Sequence, residues 1–172
     1  MPDQPNHQPE DHPSADITVE QAKLLGNALR VKIVGAIVEV PKTSKQVADE
    51  LGGTPGSIHY HIQKLYEGGL IDLVETRQVG GIVEKYYKSK AKWFNTQGTK
   101  LVDPVLADDF ESSTSTQVSL RLELSSQQRD QMTEEFKALL EKWVGVSAAS
   151  KAKDTKEYAI GIKLKATDEK TT

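Results

Sequence analysis

Hydrogen-bonding and cationic side chains are concentrated in one short segment, residues 54–66. Its apolar residues Ile58, Ile62 and Leu65 recur at positions i, i+4 and i+7, the spacing of a helix with one face in a core. At about 100° per residue, the opposite face and its flanks hold no acid and consist of Gly56, Ser57, His59, Tyr60, His61, Gln63 and Lys64. Such hydroxyl, imidazole, amide and ammonium groups can bind phosphates and the edges of nucleotide bases, whereas an acidic face would repel them. An idle solvent-exposed face is the alternative interpretation.

Metal and catalytic chemistry have little support in the sequence. His59 and His61 form an H-x-H pair, but residues two apart on a helix point about 200° from each other and cannot chelate one ion. The chain has no cysteine, which excludes thiolate metal sites and disulfides. Residues from 118 onwards contain no His and no Gly-rich phosphate loop. We therefore predict no metal site, no cofactor, no catalytic residues and no enzymatic activity.

Four helices are predicted up to and including this segment. Capping and stop residues mark their boundaries: Thr18 before the first, Pro41 after the second, Thr43 or Ser44 before the third, and Thr54 with Pro55 before the fourth. Gly52 and Gly53 separate the short third helix from the fourth. Two short helices joined in this way match a helix-turn-helix, whose second helix lies in the major groove of duplex DNA. The predicted DNA contacts on this recognition helix are Thr54, Gly56, Ser57, His59, Tyr60, His61 and Lys64.

A β-hairpin is predicted directly after the fourth helix. Residues 70–78 and 82–88 are rich in strand-forming residues. The Val79-Gly80-Gly81 sequence between them favours a tight hairpin turn, because glycine readily adopts positive φ. Arg77, Gln78 and Lys85 lie near the glycine tip and are predicted to hold the DNA backbone beside the groove. An ordinary solubilising edge hairpin with scattered cations is the alternative.

Composition divides the chain into five parts. Residues 1–17 carry four acids, no Lys or Arg and four of the seven prolines, and are predicted to be a disordered acidic tail. Residues 18–94 are the predicted DNA-binding domain, and residues 18–100 hold 12 basic and 8 acidic side chains, as a module that contacts phosphates should. A polar linker is predicted at 95–117, a second patterned unit at 118–167, and a short tail at 168–172.

The second unit reads as strand, amphipathic helix and strand. Apolar and polar residues alternate over 118–124 and again over 158–164, and Ser125 with Gln128 forms a capping box for the helix between them. Two strands and one helix make a marginal unit by themselves. Dimerisation or simple packing is the first interpretation of this unit, and an effector pocket near Phe136 and Trp143 is the second.

Features of membrane insertion and export are missing from the sequence. No apolar run approaches the length of a membrane helix, and the first residues have neither a basic start nor an apolar stretch. Together with the lack of cysteine, this leads us to expect a cytoplasmic protein that does not associate with membranes.

Several short motifs follow one another in a characteristic order between residues 19 and 94. They are Gly26-Asn27-Ala28-Leu29-Arg30, Val47-Ala48, residues 57–65, Gly69-Leu70-Ile71 and Lys85-Tyr86-Tyr87. In this order and spacing the region resembles the ArsR-type winged helix-turn-helix family of prokaryotic transcription regulators. The resemblance covers less than half of the chain. It implies a DNA-binding module that is usually dimeric and often responds to a metal or a small molecule, although the cysteine thiolates common in the metal sensors are missing here.

These features together predict an α+β fold, a winged helix-turn-helix domain followed by a small strand-helix-strand unit. The predicted function is transcription regulation by binding double-stranded DNA as a homodimer, with an unknown small-molecule effector as a further expected partner. Two other classes stay open. One is a winged helix that docks on another protein, and the other is a small-molecule-responsive sensor that uses the C-terminal unit.

Overall fold

The computed structural model describes residues 14–96, 104–106, 114–150, 152 and 154–167. The chain divides into two compact units, unit 1 at residues 1–99 and unit 2 at residues 100–172. The predicted tails fall mostly outside the described residues, which exclude 1–13 and 168–172, and so does much of the predicted linker. No helix in the described ranges combines the length and the apolar character that crossing a bilayer requires.

The described residues of unit 1 form the four predicted helices in the predicted order, although the second begins within the motif of residues 26–30 and not after it. They are α1 (Val19–Leu25), α2 (Ala28–Ile37), α3 (Ser44–Leu51) and α4 (Pro55–Glu67). Thr18, Thr43 and Thr54 each accept a hydrogen bond from a backbone N–H three residues on, so the predicted N-caps of α1, α3 and α4 are confirmed. Asn27 caps α2 in the same way.

The turn between α3 and α4 depends on Gly52. Its φ is 68°, in the left-handed region that favours glycine, and it forms the C-cap of α3. The chain therefore reverses within the three residues Gly52, Gly53 and Thr54 before α4 begins at Pro55. This turn sets the angle between the two helices and confirms the predicted helix-turn-helix.

The strands in the described residues of unit 1 are β1 (Ser14–Asp16), β2 (Ile71–Val79), β3 (Ile82–Ser89) and β4 (Trp93–Asn95). β2 and β3 pair antiparallel and turn through Gly80 and Gly81, both with positive φ, so the predicted hairpin is confirmed. We call this hairpin the wing. Lys42, in the loop before α3, pairs with Tyr87 of β3 and attaches the wing to the helices.

A second, parallel pairing joins β1 to β4 and was not predicted. Residues 14–16, assigned from the sequence to a disordered tail, pair with residues 93–95, and Ile17 after them is buried in the core. The proline-rich, acidic composition of residues 1–17 indicates disorder. The short strand could not be predicted from it, because the strand forms only by pairing with a segment almost 80 residues further along the chain. The folded domain thus begins before Thr18.

The core of unit 1 lies where the helices and the base of the wing meet. Its fully buried side chains come from α2, α3, α4 and the start of the wing: Ile33, Ile37, Val47, Ile58, Ile62, Leu65, Leu70 and Ile71. The predicted apolar stripe of α4 is therefore confirmed, and the packing of that stripe fixes which side of α4 faces solvent.

The described residues of unit 2 form one long helix, one short 3-10 helix and segments without regular structure. Helix α5 (Ser126–Ala149) begins at the predicted capping box of Ser125 and Gln128, and the 3-10 helix Pro104–Leu106 precedes it. The strands predicted at 118–124 and 158–164 are not formed, and this part of the prediction is wrong for the single chain. Their alternating pattern provides an apolar face but no backbone partner, and a strand needs both. The α+β class, with helices, wing and C-terminal helix, is confirmed.

Candidate nucleic-acid interface

The face of α4 opposite the core is open to solvent. Tyr60 is 57% exposed, and Thr54, Gly56 and Ser57 are exposed in the first turn of the helix. A Cβ atom built on Gly56 would meet nothing within 4 Å, so a flat surface can approach the backbone there. The predicted contact residues at the start of α4 are thus accessible.

Lys64 lies on the same face but has an acidic neighbour. Its Nζ is 3.1 Å from Glu67 Oε2, and it lies 5.9 Å from the centre of the Tyr60 ring. Both charged side chains of this i, i+3 pair are exposed, and such pairs contribute only about 0–1 kcal/mol. A phosphate can therefore replace Glu67 as the partner of Lys64.

The two histidines of α4 have different surroundings. His59 is exposed, and its Nδ1 lies 3.5 Å from Ser44 Oγ at the start of α3. His61 is half-buried on the other side of the helix, beside α2, where burial and the charge of Arg30 lower its pKa. The two side chains thus point to opposite flanks of the exposed face, as their spacing predicts.

Gln63 connects the recognition helix to the wing. Its Nε2 donates a hydrogen bond of 3.1 Å to the hydroxyl of Tyr87, which is buried at the base of β3. Tyr66 packs edge-on against the same ring, with 5.8 Å between ring centroids. The wing therefore has a defined position relative to α4, and Gln63 has a structural partner.

The three predicted wing contacts lie on two different faces of the hairpin. Side chains alternate along a strand, so Arg77 and Gln78 point to opposite faces. Lys85 is paired in register with Thr76 and shares the face of Gln78, and all three residues are exposed. This face holds a cation and no acid over the paired residues Thr76–Lys85 and Gln78–Val83.

Arg77 lies on the opposite face, where acids surround it. Its guanidinium group forms two hydrogen bonds with the carboxylate of Glu75, one of them 2.8 Å long, and stacks 4.6 Å from the ring centre of Tyr86. The hydrogen bond from Arg77 lowers the pKa of Glu75, so this pair stays charged. Lys85 and Gln78 are consequently better placed than Arg77 to meet a phosphate.

Arg30 adjoins the recognition helix but was not predicted as a site residue. The sequence placed it only in the motif that precedes the second helix, although no acid occurs between Leu24 and Val38. That acid-free run was the feature of the sequence that could have indicated Arg30 as a contact for an anionic partner. In the structure, Arg30 is half-buried in the first turn of α2, close enough to His61 to affect its pKa.

Across the described ranges, no group of three or more His, Asp or Glu side chains is placed to hold a metal ion. Among known families, a helix-turn-helix domain matches the chain at residues 25–74, less than a third of its length. This family belongs to the ArsR-like and winged helix-turn-helix group. No curated protein matches the chain. Residues 25–74 therefore form a helix-turn-helix domain, the kind of domain found in DNA-binding regulators.

Proposed function

We propose that this protein is an ArsR-like transcription regulator that binds double-stranded DNA as a homodimer. The observation that carries the proposal is the solvent-exposed face of α4, where Gly56, Ser57, Tyr60 and Lys64 stand opposite a fully buried stripe. Helix α4 enters the major groove, where these groups contact base edges and phosphates. Gln78 and Lys85 of the wing hold the backbone beside it. The cysteine-free sequence supports a cytoplasmic location.

The direct test measures duplex binding over a range of salt concentrations. The wild-type protein should bind a duplex that carries its own promoter region, with an affinity that falls steeply as salt rises. The Tyr60→Ala, Lys64→Ala double variant should bind much more weakly. Unchanged affinity in this variant would exclude α4 as the contact surface, and the absence of any salt-dependent binding would favour a winged helix that docks on another protein.

The two faces of the wing provide a matched pair of variants. Lys85→Ala removes the cation of the acid-free face and should lower the salt-dependence slope by about one. Arg77→Ala also removes one cation, but Glu75 already neutralises it in the free protein. We expect a smaller change in slope for Arg77→Ala, and equal changes would show that the two faces do not differ in DNA contact.

Unit 2 provides the surface for the second copy in this proposal. Val118, Leu120 and Leu122 are 82%, 63% and 58% exposed, and Trp143 of α5 is 55% exposed. Apolar exposure on this scale marks interaction surfaces. In a dimer, residues 118–124 and 158–164 gain the strand partners that they lack in the single chain. A two-fold protein also matches the two half-sites that helix-turn-helix dimers bind.

Sedimentation measurements on adjacent variants test the dimer. Leu122→Ser removes an apolar side chain from residues 118–124, whereas Arg121→Ser changes its neighbour, which points to the other face of a strand. Leu122→Ser should weaken dimerisation about tenfold or more, because a buried leucine contributes about 1.5–3 kcal/mol. Arg121→Ser should have little effect. A wild-type protein that stays monomeric would exclude the dimer and would leave the exposed residues around Trp143 as a candidate effector surface.

A further inference from the structure

The position of Arg30, a cation in the first turn of α2, is unfavourable for the stability of that helix. Arg30 is the third residue of α2, where the positive end of the helix dipole disfavours a cation. Its Nε is buried without a hydrogen-bond partner among the described residues, and none of their carboxylates forms an ion pair with it. Buried polar atoms are satisfied in the great majority of cases, so an exception calls for a physical reason.

His61 of α4 lies close enough to Arg30 to feel its charge, and it also has a buried nitrogen without a partner. Its Nδ1 is buried and has no hydrogen-bond partner in the described part of the chain. The Tyr60 ring packs edge-on beside it, with 5.3 Å between ring centroids. Arg30, with its full positive charge, is thus near enough to His61 to lower its pKa, and each of the two side chains has a buried nitrogen without a partner among the described residues.

This junction borders the exposed face of the recognition helix. His61 lies four residues after Ser57 and three before Lys64, so the three side chains are neighbours on the helix surface. Arg30 consequently extends the exposed face of α4 sideways onto α2. A duplex seated on α4 would bring one of its backbone strands close to that flank.

We propose that Arg30 and His61 together bind one backbone phosphate of the DNA duplex, at the edge of α4 that adjoins α2. The inference rests on the proposed function and adds a contact outside the helix-turn-helix and the wing. A phosphodiester supplies an anionic acceptor at this flank, since the terminal nitrogens of a guanidinium group can donate two parallel hydrogen bonds to it and an imidazole N–H can donate another. The contact positions the protein and does not read the base sequence.

Salt-dependent titrations of single variants test this site. Arg30→Gln should weaken binding about tenfold, equally on the promoter duplex and on an unrelated duplex, and should lower the slope of log affinity against log salt by about one. Arg30→Lys should keep most of the slope but bind less tightly, because lysine cannot donate the paired hydrogen bonds. Lys32→Gln is the matched control, since it removes a charge about 200° around the same helix and should leave the slope unchanged.

A second measurement uses the unaltered protein and therefore does not depend on how the variants fold. A phosphate beside His61 stabilises the imidazolium, so NMR titration should show that the pKa of His61 rises when the duplex binds. A wild-type slope in Arg30→Gln, an equal loss in Lys32→Gln, or an unchanged pKa of His61 in the complex would overturn the phosphate site while DNA binding itself stands. If the wild-type protein shows no salt-dependent duplex binding, the proposed function fails as well.

Discussion

The two units of this chain differ in how completely each buries its apolar side chains. Unit 1 has thirteen buried apolar residues, drawn from its helices, its strands and the segments between them. In the described part of unit 2 no residue is buried, and α5 leaves Leu139, Trp143 and Val146 about half exposed. Both units have equally clear sequence patterns. The difference shows that an apolar pattern produces buried structure within one chain only where that chain also supplies the surface that covers it.

Unit 1 supplies both the apolar faces and the surfaces that cover them, because its helices and strands pack against one another. The stripe of α4 packs on α2 and α3, and the wing is tied to the helices at Lys42 and Gln63. The described residues of unit 2 supply one long helix and two segments without regular structure, too few elements to enclose a core. One contact within it is close, since a Cβ atom on Gly161 would lie 2.7 Å from Leu106 Cγ. We infer that unit 1 is stable alone and that unit 2 depends on association.

Removal of equal-sized apolar side chains from the two units should give the largest contrast. Ile62→Ala in unit 1 deletes a side chain with 0% exposure and should lower the free energy of unfolding by about 2–5 kcal/mol. Leu139→Ala in α5 deletes a side chain that is 47% exposed and should cost under about 0.5 kcal/mol in dilute, monomeric protein. Urea unfolding measures both values, and similar losses would contradict the contrast.

The second largest contrast between the two units should be in how their free energies of unfolding depend on protein concentration. The chain has one tryptophan in each unit, so Trp93→Phe leaves Trp143 to report on unit 2 and Trp143→Phe leaves Trp93 to report on unit 1. If unit 2 is stable only in a dimer, a hundredfold dilution should lower its free energy of unfolding by about 2.7 kcal/mol. Unit 1 should not respond. Concentration-independent unfolding of both units would remove the inferred dependence of unit 2 on a second copy.

Two glycines of the helix-turn-helix should give opposite and smaller effects. Gly52→Ala places a side chain at φ 68° and should destabilise unit 1 by about 1 kcal/mol. Gly56→Ala lies within α4, meets nothing within 4 Å and should stabilise unit 1 by about 0.5 kcal/mol. Thermal unfolding of the two variants beside wild type checks the signs. Destabilisation by both would mean that the first turn of α4 is less open than described.

The smallest effect should be a pH dependence confined to unit 1. Burial and Arg30 lower the pKa of His61 below 6.5, so the unfolded chain takes up a proton before the folded one does. The free energy of unfolding should therefore be highest above pH 6.5 and fall as pH drops from there towards the pKa of His61 in the folded protein. His61→Gln should abolish this part of the pH profile and His59→Gln should retain it. If the free energy of unfolding depended on pH equally in both variants, a group other than His61 would cause the effect.

The recognition helix could be predicted from the sequence because its signals are local. The N-cap Thr54, the apolar stripe and the glycine turn all act within a few residues, and the structure has them as expected. The partners of the polar residues could not be predicted in the same way. The i, i+3 spacing of Lys64 and Glu67 and the i, i+2 spacing of Glu75 and Arg77 permit these two pairs, but the side-chain rotamers decide whether they form. Arg30 comes near His61 because α2 packs on α4, and no residue spacing in the sequence indicates this proximity.

The amino-acid sequence alone determined the helices, most of their caps, the glycine turns and the polar, hydrogen-bonding face of α4. These features follow from hydrogen bonds and steric limits between residues three or four apart. Only the tertiary structure decided that residues 14–16 form a strand, which wing residues share a face, and whether 118–124 and 158–164 become strands. Each of these depends on a partner segment distant in the chain or outside it, and the free energy of that pairing is not contained in either segment alone.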